Sequence, residues 1–435
     1  MPIDFEVEPE FQEKLDWIDG FVREEVEPLD LYFRGEVSPF DKSNETARAL
    51  IAPLQQQVRD QGLWACHLGP ELGGNGFGQV KLALMNEILG RSPFAPSVFG
   101  CQAPDSGNAE ILAHYGTDGQ KDRYLQPLLD GLISSTYAMT EPQGGSDPGV
   151  FTCRARRDGG EWVISGEKWF ASNYRYASFL IVMVITDPGV AVYRGSSMIL
   201  VPADADGLEV VSNVGIGGEA IGGGDHAYLR FNEVRVPAEN LLGEEGSGFA
   251  IAQTRLGGGR IHHGMRSVGV AQKALDMMCE RVLSRETKGS LLAEKQSMRH
   301  WIADSWIQIQ QFRLQVLHCA WLIDSVGDYA RIRQHIAGVK VATPKLLIDV
   351  VYRSMHAHGS LGVSNEMPLL GMWTMAPIMG IADGPTEVHK DTIAKQVVKG
   401  YEPSPGPFPT GHLPTRIEEA RRKVEERLEH EVGNL

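Results

Sequence analysis

The apolar residues of this chain change their spacing twice, and that constrains the fold more than any other feature. Up to about residue 136 they recur every three or four positions, as on a helix face. "PEFQEKLDWIDGFVREEVEPLD" sets Phe11, Leu15, Trp17, Ile18, Phe21 and Val22 at that spacing. "SNETARALIAPLQQQVRDQGLW" opens a second helix on Ser43, with Glu45 and Thr46 in its first turn, and "VKLALMNEILGRS", "DSGNAEILAHYG" and "QKDRYLQPLLDGL" continue the pattern. From Tyr137 the runs shorten to strand length and fill with β-branched and aromatic residues. "TCRARRDGGEWVISGEKWF" carries a hairpin signal at Asp158-Gly159-Gly160, and "SFLIVMVIT", "SSMILVPA", "GLEVVSNV" and "HAYLRFNEVRVP" follow. After "ENLLGEEGSGFAIA" the helical spacing returns and lasts to about Lys399, in segments long enough for a bundle.

The spacing therefore predicts an α+β chain in four parts. These are an N-terminal helical domain over 1–136, a β-domain over 137–243, a helical bundle over 244–400, and a Pro-rich linker with a last helix over 401–435. In that last helix Ile417, Val424 and Leu428 share one face among Arg and Glu, which reads as a solvated helix docked on the body, with a partner-binding tail as the alternative. No internal repeat is present.

Charge and cysteine usage exclude several function classes. The 435 residues carry a formal charge of -15 with no basic stripe, which argues against nucleic acid or an anionic membrane as partner. The longest apolar run, "FLIVMVI" from Phe179 to Ile185, is far short of the roughly 18 residues of a membrane span. The acidic N-terminus lacks a basic-then-apolar signal pattern. Cys66, Cys101, Cys153, Cys279 and Cys319 are scattered, odd in number and form no C-x-x-C, so no metal site is expected. A reducing compartment, the cytoplasm, is expected, or the mitochondrial matrix for a processed eukaryotic protein.

Two glycine-rich stretches fail as dinucleotide loops. "ELGGNGFGQ" (Glu71 to Gln79) follows a helical segment rather than a strand, and "GIGGEAIGGGD" (Gly215 to Asp225) has the same defect. The pairs His262/His263 and His356/His358 lack carboxylates at ligand spacing and read as polar surface or a site wall. Asp383-Gly384-Pro385, ahead of a helix, reads on its own as a helix start, where a carboxylate accepts orphan N–H groups.

"YAMTEPQGGSD" (Tyr137 to Asp147) resembles the flavin motif T-E-P-G-A-G-S-D of acyl-CoA dehydrogenases, with Gln143 and Gly144 where Gly and Ala are commoner. "ISGEKWFASN" is similar to the family's N-G-x-K-x-W-I-T-N, and "RFNEVRVPAENLLGEEGSGF" to the segment closing its β-domain. "GVAQKALDMMCERVLSRETKG" resembles the helix before R-x-x-F-G, with Lys288 in place of the aromatic. "HAHGSLGV" stands at Q-x-x-G-G-x-G, and "IADGPTEVHKDTIAK" at E-G-T-x-x-I-x-x-x-I-A-R. The resemblance covers roughly residues 5 to 400 in order. It implies an N-terminal helical domain, a middle β-barrel or sandwich and a C-terminal four-helix bundle. It also implies FAD as cofactor, acyl-CoA as substrate, an electron-transfer flavoprotein as partner, and a homodimer or homotetramer.

The same resemblance implies roles for particular residues. Such an enzyme removes the proton alpha to a thioester while a hydride leaves the beta carbon for flavin N5, giving a 2-enoyl-CoA. The position of the family's catalytic Glu holds Asp383 here, and the alternative position, before Arg260, holds Gly259, which cannot act. A carboxylate base of this kind is expected to have its pKa raised by desolvation. Thr140 and Ser172 would hydrogen-bond the isoalloxazine, Phe170 would cover it with Ala171 beside, and Trp169 would face away in a strand. Met139 to Ser146 would supply backbone donors, and Ser146 would also border the thioester. Arg285 and Gln296 would reach the FAD of a neighbouring subunit, and His356, Gly359 and Ser360 would line that same FAD. Pro385, Thr386 and Glu387 would continue the cofactor contact, Gly384 would bind the substrate carbonyl through its N–H, and Arg260 would contact the acyl-CoA. The Asp-Gly-Pro form resembles a branch associated with unusual acyl chains, including hydroxylated ones. An oxidase of the same fold, such as a nitroalkane oxidase with its Asp base, a non-catalytic assembly subunit, and elimination or isomerisation on a hydroxyacyl-CoA remain alternatives.

Overall fold

The computed structural model of the chain describes residues 6–35, 37–69 and 75–432. Glu71 to Gly74, within the first rejected glycine-rich stretch, lie outside them.

The N-terminal helices Pro9–Phe21, Glu45–Asp60, Gly78–Leu89 and Asp105–Tyr115 bury their periodic apolar residues. Phe11, Leu15, Ile18 and Phe21 join Ile51, Leu54, Val58 and Leu89 in one core. The cap of the second of these helices lies one residue later than Ser43. Asn44 caps it, its side chain accepting from Ala47 N at 2.9 Å. Ser43 is instead bound to Asp41, whose Oδ1 accepts from its N–H at 3.0 Å and its hydroxyl at 2.6 Å.

The middle of the chain forms strands β1 (Ser135–Ala138), β2 (Arg154–Asp158), β3 (Glu161–Ser172), β4 (Phe179–Ile185), β5 (Ser196–Pro202), β6 (Leu208–Val214), β7 (His226–Pro237) and β8 (Leu241–Leu242). They make one sheet in the order β6-β7-β3-β2-β4-β5-β8, with β1 parallel to β4. The unbroken apolar run of β4 is explained by cover on both faces. Phe179, Ile181 and Met183 enter one core, and Leu180, Val182 and Val184 another. Gly159-Gly160 form the two-residue turn from β2 to β3, with Asp158 opposite Glu161 and Gly159 at φ 63.

Strand alternation fails at one functional place. β3 is irregular between Lys168 and Ala171, and Phe170 has φ 56. Trp169 therefore does not simply face away. It is half-buried, edge-on to Tyr228 at 5.4 Å, with the Phe170 ring 5.5 Å from it.

Helices Gly248–Ser284, Gln296–Val326, Arg333–His358, Leu369–Ile381 and Thr386–Val398 make the C-terminal helical domain. Ile261, Met265, Val268, Phe312, Val316, Val339 and Val350 lie in its core. The long helix Gly248–Ser284 ties the parts together. Its first turns bury Ile251 and Ala252 against β4 and β5 residues. Further along, a Cβ on Gly269 would stand 2.0 Å from Glu87 O, so only glycine lets the helix Gly78–Leu89 approach so closely.

The last helix, Leu413–Val432, departs from expectation: none of its residues is buried, and Ile417, Val424 and Leu428 are exposed. The linker 401–410 is exposed throughout and supplies no packing that would bring the helix back to the body. Among the described residues no helix is long and apolar enough to cross a membrane.

Candidate active site

Asp383 lies in the turn between helices Leu369–Ile381 and Thr386–Val398, at φ 56, with Gly384 following at φ 102. The turn is held from three helices. Arg260, on the long helix, donates from Nη2 to the Asp383 carbonyl at 3.1 Å. His389 donates from Nε2 to the same oxygen at 3.2 Å. Lys340, 6% exposed on the helix Arg333–His358, donates from Nζ to the Met379 carbonyl. Thr386 closes the turn by donating from its hydroxyl to Gly380 O at 3.2 Å. The carboxylate is thus presented by a braced backbone.

The electrostatics correct one expectation. Asp383 keeps a partial opening to solvent, yet the protein around its carboxyl is dense, and burial does push its pKa up. The net direction is nevertheless downward, because His263, Arg255, Arg260 and Lys340 favour the charged form. Burial holds His263 itself down to about 4, so at neutral pH that ring is uncharged. Arg255, Arg260 and Lys340 then keep Asp383 ionised. Burial also lowers Lys340, to about 8.

Arg255 connects this turn to the β-domain. Its guanidinium sits 4.0 Å from the centroid of the Tyr137 ring, and its Nε donates to Asn108 Oδ1 at 3.0 Å. Two residues after Tyr137 the motif Met139 to Asp147 begins. Its loop is built on a fully buried ion pair, Lys168 to Glu141 at 2.8 Å, exposed 0% and 1%. Lys168 also donates to Met139 O at 2.9 Å, and Glu141 accepts from Thr152 N and Cys153 N at 2.6 and 3.0 Å. Trp169 N donates to Thr140 O at 2.8 Å, which draws Thr140 beside Phe170, Ala171 and Ser172. The Ser172 hydroxyl lies 2.8 Å from His226 Nδ1, and the Phe170 ring stacks on His226 at 4.8 Å. Ser146 is exposed on the same loop.

The remaining expected residues form a second group. Arg285, Gln296, His356, Gly359 and Ser360 are all exposed. Leu292 N donates to Arg285 O at 2.8 Å, and His356 packs 4.2 Å from the Tyr352 ring and 6.1 Å from Trp301. From Lys340 to His356 the helix runs about 24 Å at 1.5 Å per residue. His356 therefore stands far along the helix from Lys340, whose Nζ bonds the Met379 carbonyl beside the Asp383 turn. Pro385, Thr386 and Glu387 open the helix after the turn, with Glu387 exposed.

The histidine pairs divide: His356 is exposed, whereas the other three are not polar surface. His262 and His358 are buried, and His263 belongs to the surroundings of Asp383. Among the described residues no cluster of His, Cys, Asp or Glu could hold a metal ion. Arg255, His263, Lys340, His389 and His226 are the residues that sequence reasoning missed. Only Lys340, a charge inside an apolar helical stretch, carried a local signal.

The donor set fits an acceptor-rich ligand. The N–H groups of Gly145, Ser146, Asp383 and Gly384 have no partner among the described residues. Arg260 Nε is buried without one. An exposed aromatic, Phe170, lies on β3 next to Trp169, whose N–H bonds Thr140.

A helical, β and helical chain with a braced carboxylate turn linked to a T-E-P loop defines the acyl-CoA dehydrogenase class of fold. Family models describing the N-terminal, middle and C-terminal domains of acyl-CoA dehydrogenase match residues 8–132, 136–234 and 246–398. The chain belongs to the acyl-CoA dehydrogenase family. It is 41% identical over 367 residues to "Probable acyl-CoA dehydrogenase FadE2" of Mycobacterium tuberculosis, covering 83% of this chain and 88% of that protein. It is 40% identical over 396 residues to "Acyl-CoA dehydrogenase family member 11" of Rattus norvegicus, covering 88% of this chain and 50% of that one, so it spans half of the rat protein's length. The solved "Structure of a putative acyl-CoA dehydrogenase from Mycobacterium abscessus" is 37% identical with a TM-score of 0.84, covering 92% of this chain and 100% of that one.

Proposed function

We propose that this chain is an FAD-dependent acyl-CoA dehydrogenase in which Asp383 removes the alpha proton of an acyl-CoA, giving a 2-enoyl-CoA. The observation that carries this reading is the turn itself: a carboxylate on a backbone braced by Arg260, His389 and Lys340, under the charge of Arg255, which stacks on Tyr137 ahead of the T-E-P loop. Held ionised, Asp383 is ready to accept a proton at neutral pH. Closure of the site by substrate would add to the desolvation that already pushes its pKa up, and so strengthen it as a base. The unpartnered N–H of Gly384, with that of Asp383 beside it, would take the thioester oxygen and acidify the alpha C–H.

Met139, Thr140, Ser146, Phe170, Ala171 and Ser172 would hold FAD from the β-domain side, and Pro385, Thr386 and Glu387 from the helical side. When bound, FAD would accept the hydride from the beta carbon. Arg285, Gln296, His356, Gly359 and Ser360, all exposed, would serve the FAD of a second subunit, which implies a homo-oligomer. Arg suits the diphosphate because it offers paired, permanently charged donors. An electron-transfer flavoprotein would take the electrons onward.

The test is anaerobic titration of the FAD-loaded protein with a panel of acyl-CoAs. Bleaching of the flavin with formation of the enoyl product is expected, with slow reoxidation by oxygen. Fast reoxidation by oxygen would instead assign an oxidase, and no bleaching with any member would remove the dehydrogenase reading.

A further inference from the structure

Asp383 occupies the left-handed region, at φ 56, which disfavours a residue with a side chain. Two donors converge on its carbonyl oxygen. One, Arg260, comes from the long helix; the other, His389, comes from the first turn of the helix that the Asp383 turn starts. His389 is 7% exposed, and burial holds its pKa down to about 4, so the ring is neutral at pH 7. A carbonyl oxygen only accepts, so the ring proton sits on Nε2.

Two further features make this contact specific. The Asp383–Gly384 peptide is trans, so its C=O and N–H point in opposite directions. Fixing the carbonyl therefore fixes the Gly384 N–H on the opposite side of the peptide plane. A Cβ at position 384 would also stand 2.9 Å from His389 Nε2. The imidazole fills space that only glycine leaves.

Resting on the reading of Asp383 as the base, we propose that His389 is a positioning residue that locks the Asp383–Gly384 peptide plane. The lock fixes at once where the carboxylate side chain begins and where the Gly384 N–H points. With the backbone fixed, the side chain has only its staggered rotamers to explore. An aspartate is one methylene shorter than a glutamate and cannot reach past a drifting turn. A displacement of about 1 Å at a reacting group costs about 100-fold in rate.

The test compares His389→Leu and His389→Gln with wild type and Asp383→Asn, all as FAD-loaded protein. Gln places a donor near the position of Nε2, and Leu places none. His389→Leu is expected to lower kcat about 10- to 100-fold with KM and FAD content held within about twofold, and His389→Gln to recover most of the loss. A crystal structure of His389→Leu is expected to show Asp383 out of the left-handed region. Should His389→Leu not fold, His389→Asn, with its donor nearer the Nδ1 position, takes its place against His389→Gln. If Asp383→Asn is inactive while His389→Leu matches wild type, or Gln is no better than Leu, the lock is wrong and the base stands. If Asp383→Asn keeps wild-type turnover, the base assignment is wrong and the lock falls with it.

Discussion

Arg260 Nη2 donates to the carbonyl oxygen of Asp383 at 3.1 Å, while Nε of the same guanidinium is buried with no partner. The arginine expected to meet the acyl-CoA thus also holds the backbone of Asp383, and keeps one donor in reserve. Arg260→Lys is predicted to lower kcat/KM about 10- to 100-fold, as for a comparable misplacement of the base. A point charge with a tetrahedral donor set cannot serve the carbonyl and the reserved position together. Steady-state kinetics on the FAD-loaded variant check this; a wild-type kcat/KM would contradict it.

The ion pair of Lys168 and Glu141 is fully buried, so removing one member strands a charge. Lys168→Met is predicted to cost about 3–5 kcal/mol of stability, read as a large fall in melting temperature. Lys168→Met with Glu141→Gln is predicted to recover part of it, because a neutral amide still accepts from Thr152 N or Cys153 N.

Glu110 gives a pH test. Burial, opposed by Arg255, raises its pKa from 4.5 to about 7. Between those values the folded chain binds a proton that the unfolded chain has lost, so this contribution to stability is complete below about 4.5 and is lost as pH rises to about 7. Asp105, raised by burial to about 6, acts in the same direction. Glu110→Gln is predicted to raise the melting temperature at pH 7.5 more than at pH 5. An equal change at both would contradict the assignment.

Much of the fold was legible because it is written in local periodicity. The continuous run Phe179 to Ile185 announced a strand, though not the cover on both its faces, and Asp158-Gly159-Gly160 announced the β2–β3 hairpin. Asp383 was legible because a short contiguous motif carries it. Arg255, His263, Lys340, His389 and His226 were not, because their meaning arises only when distant helices and strands meet. Lys340 stands 43 residues from Asp383 in sequence and His263 stands 120, and neither has a spacing rule that points to the turn. The direction of the Asp383 shift was hidden for the same reason: desolvation follows from burial alone, whereas the opposing cations come from two helices far apart in sequence. The orientation of Trp169 was misread because an irregularity in β3 cannot be seen in alternation counts.

The last helix offers a test of independence. Since no residue of Leu413–Val432 is buried, ending the chain after Gly400 is predicted to leave the melting temperature of the body unchanged. A fall of several degrees would show that the helix packs on something.

The most direct measurement is anaerobic bleaching of bound flavin by an acyl-CoA that reduces the wild type, repeated with Asp383→Asn. Full FAD content with bleaching slowed at least about 100-fold, in keeping with loss of a general base, is the predicted result. Bleaching of Asp383→Asn at the wild-type rate would contradict the account.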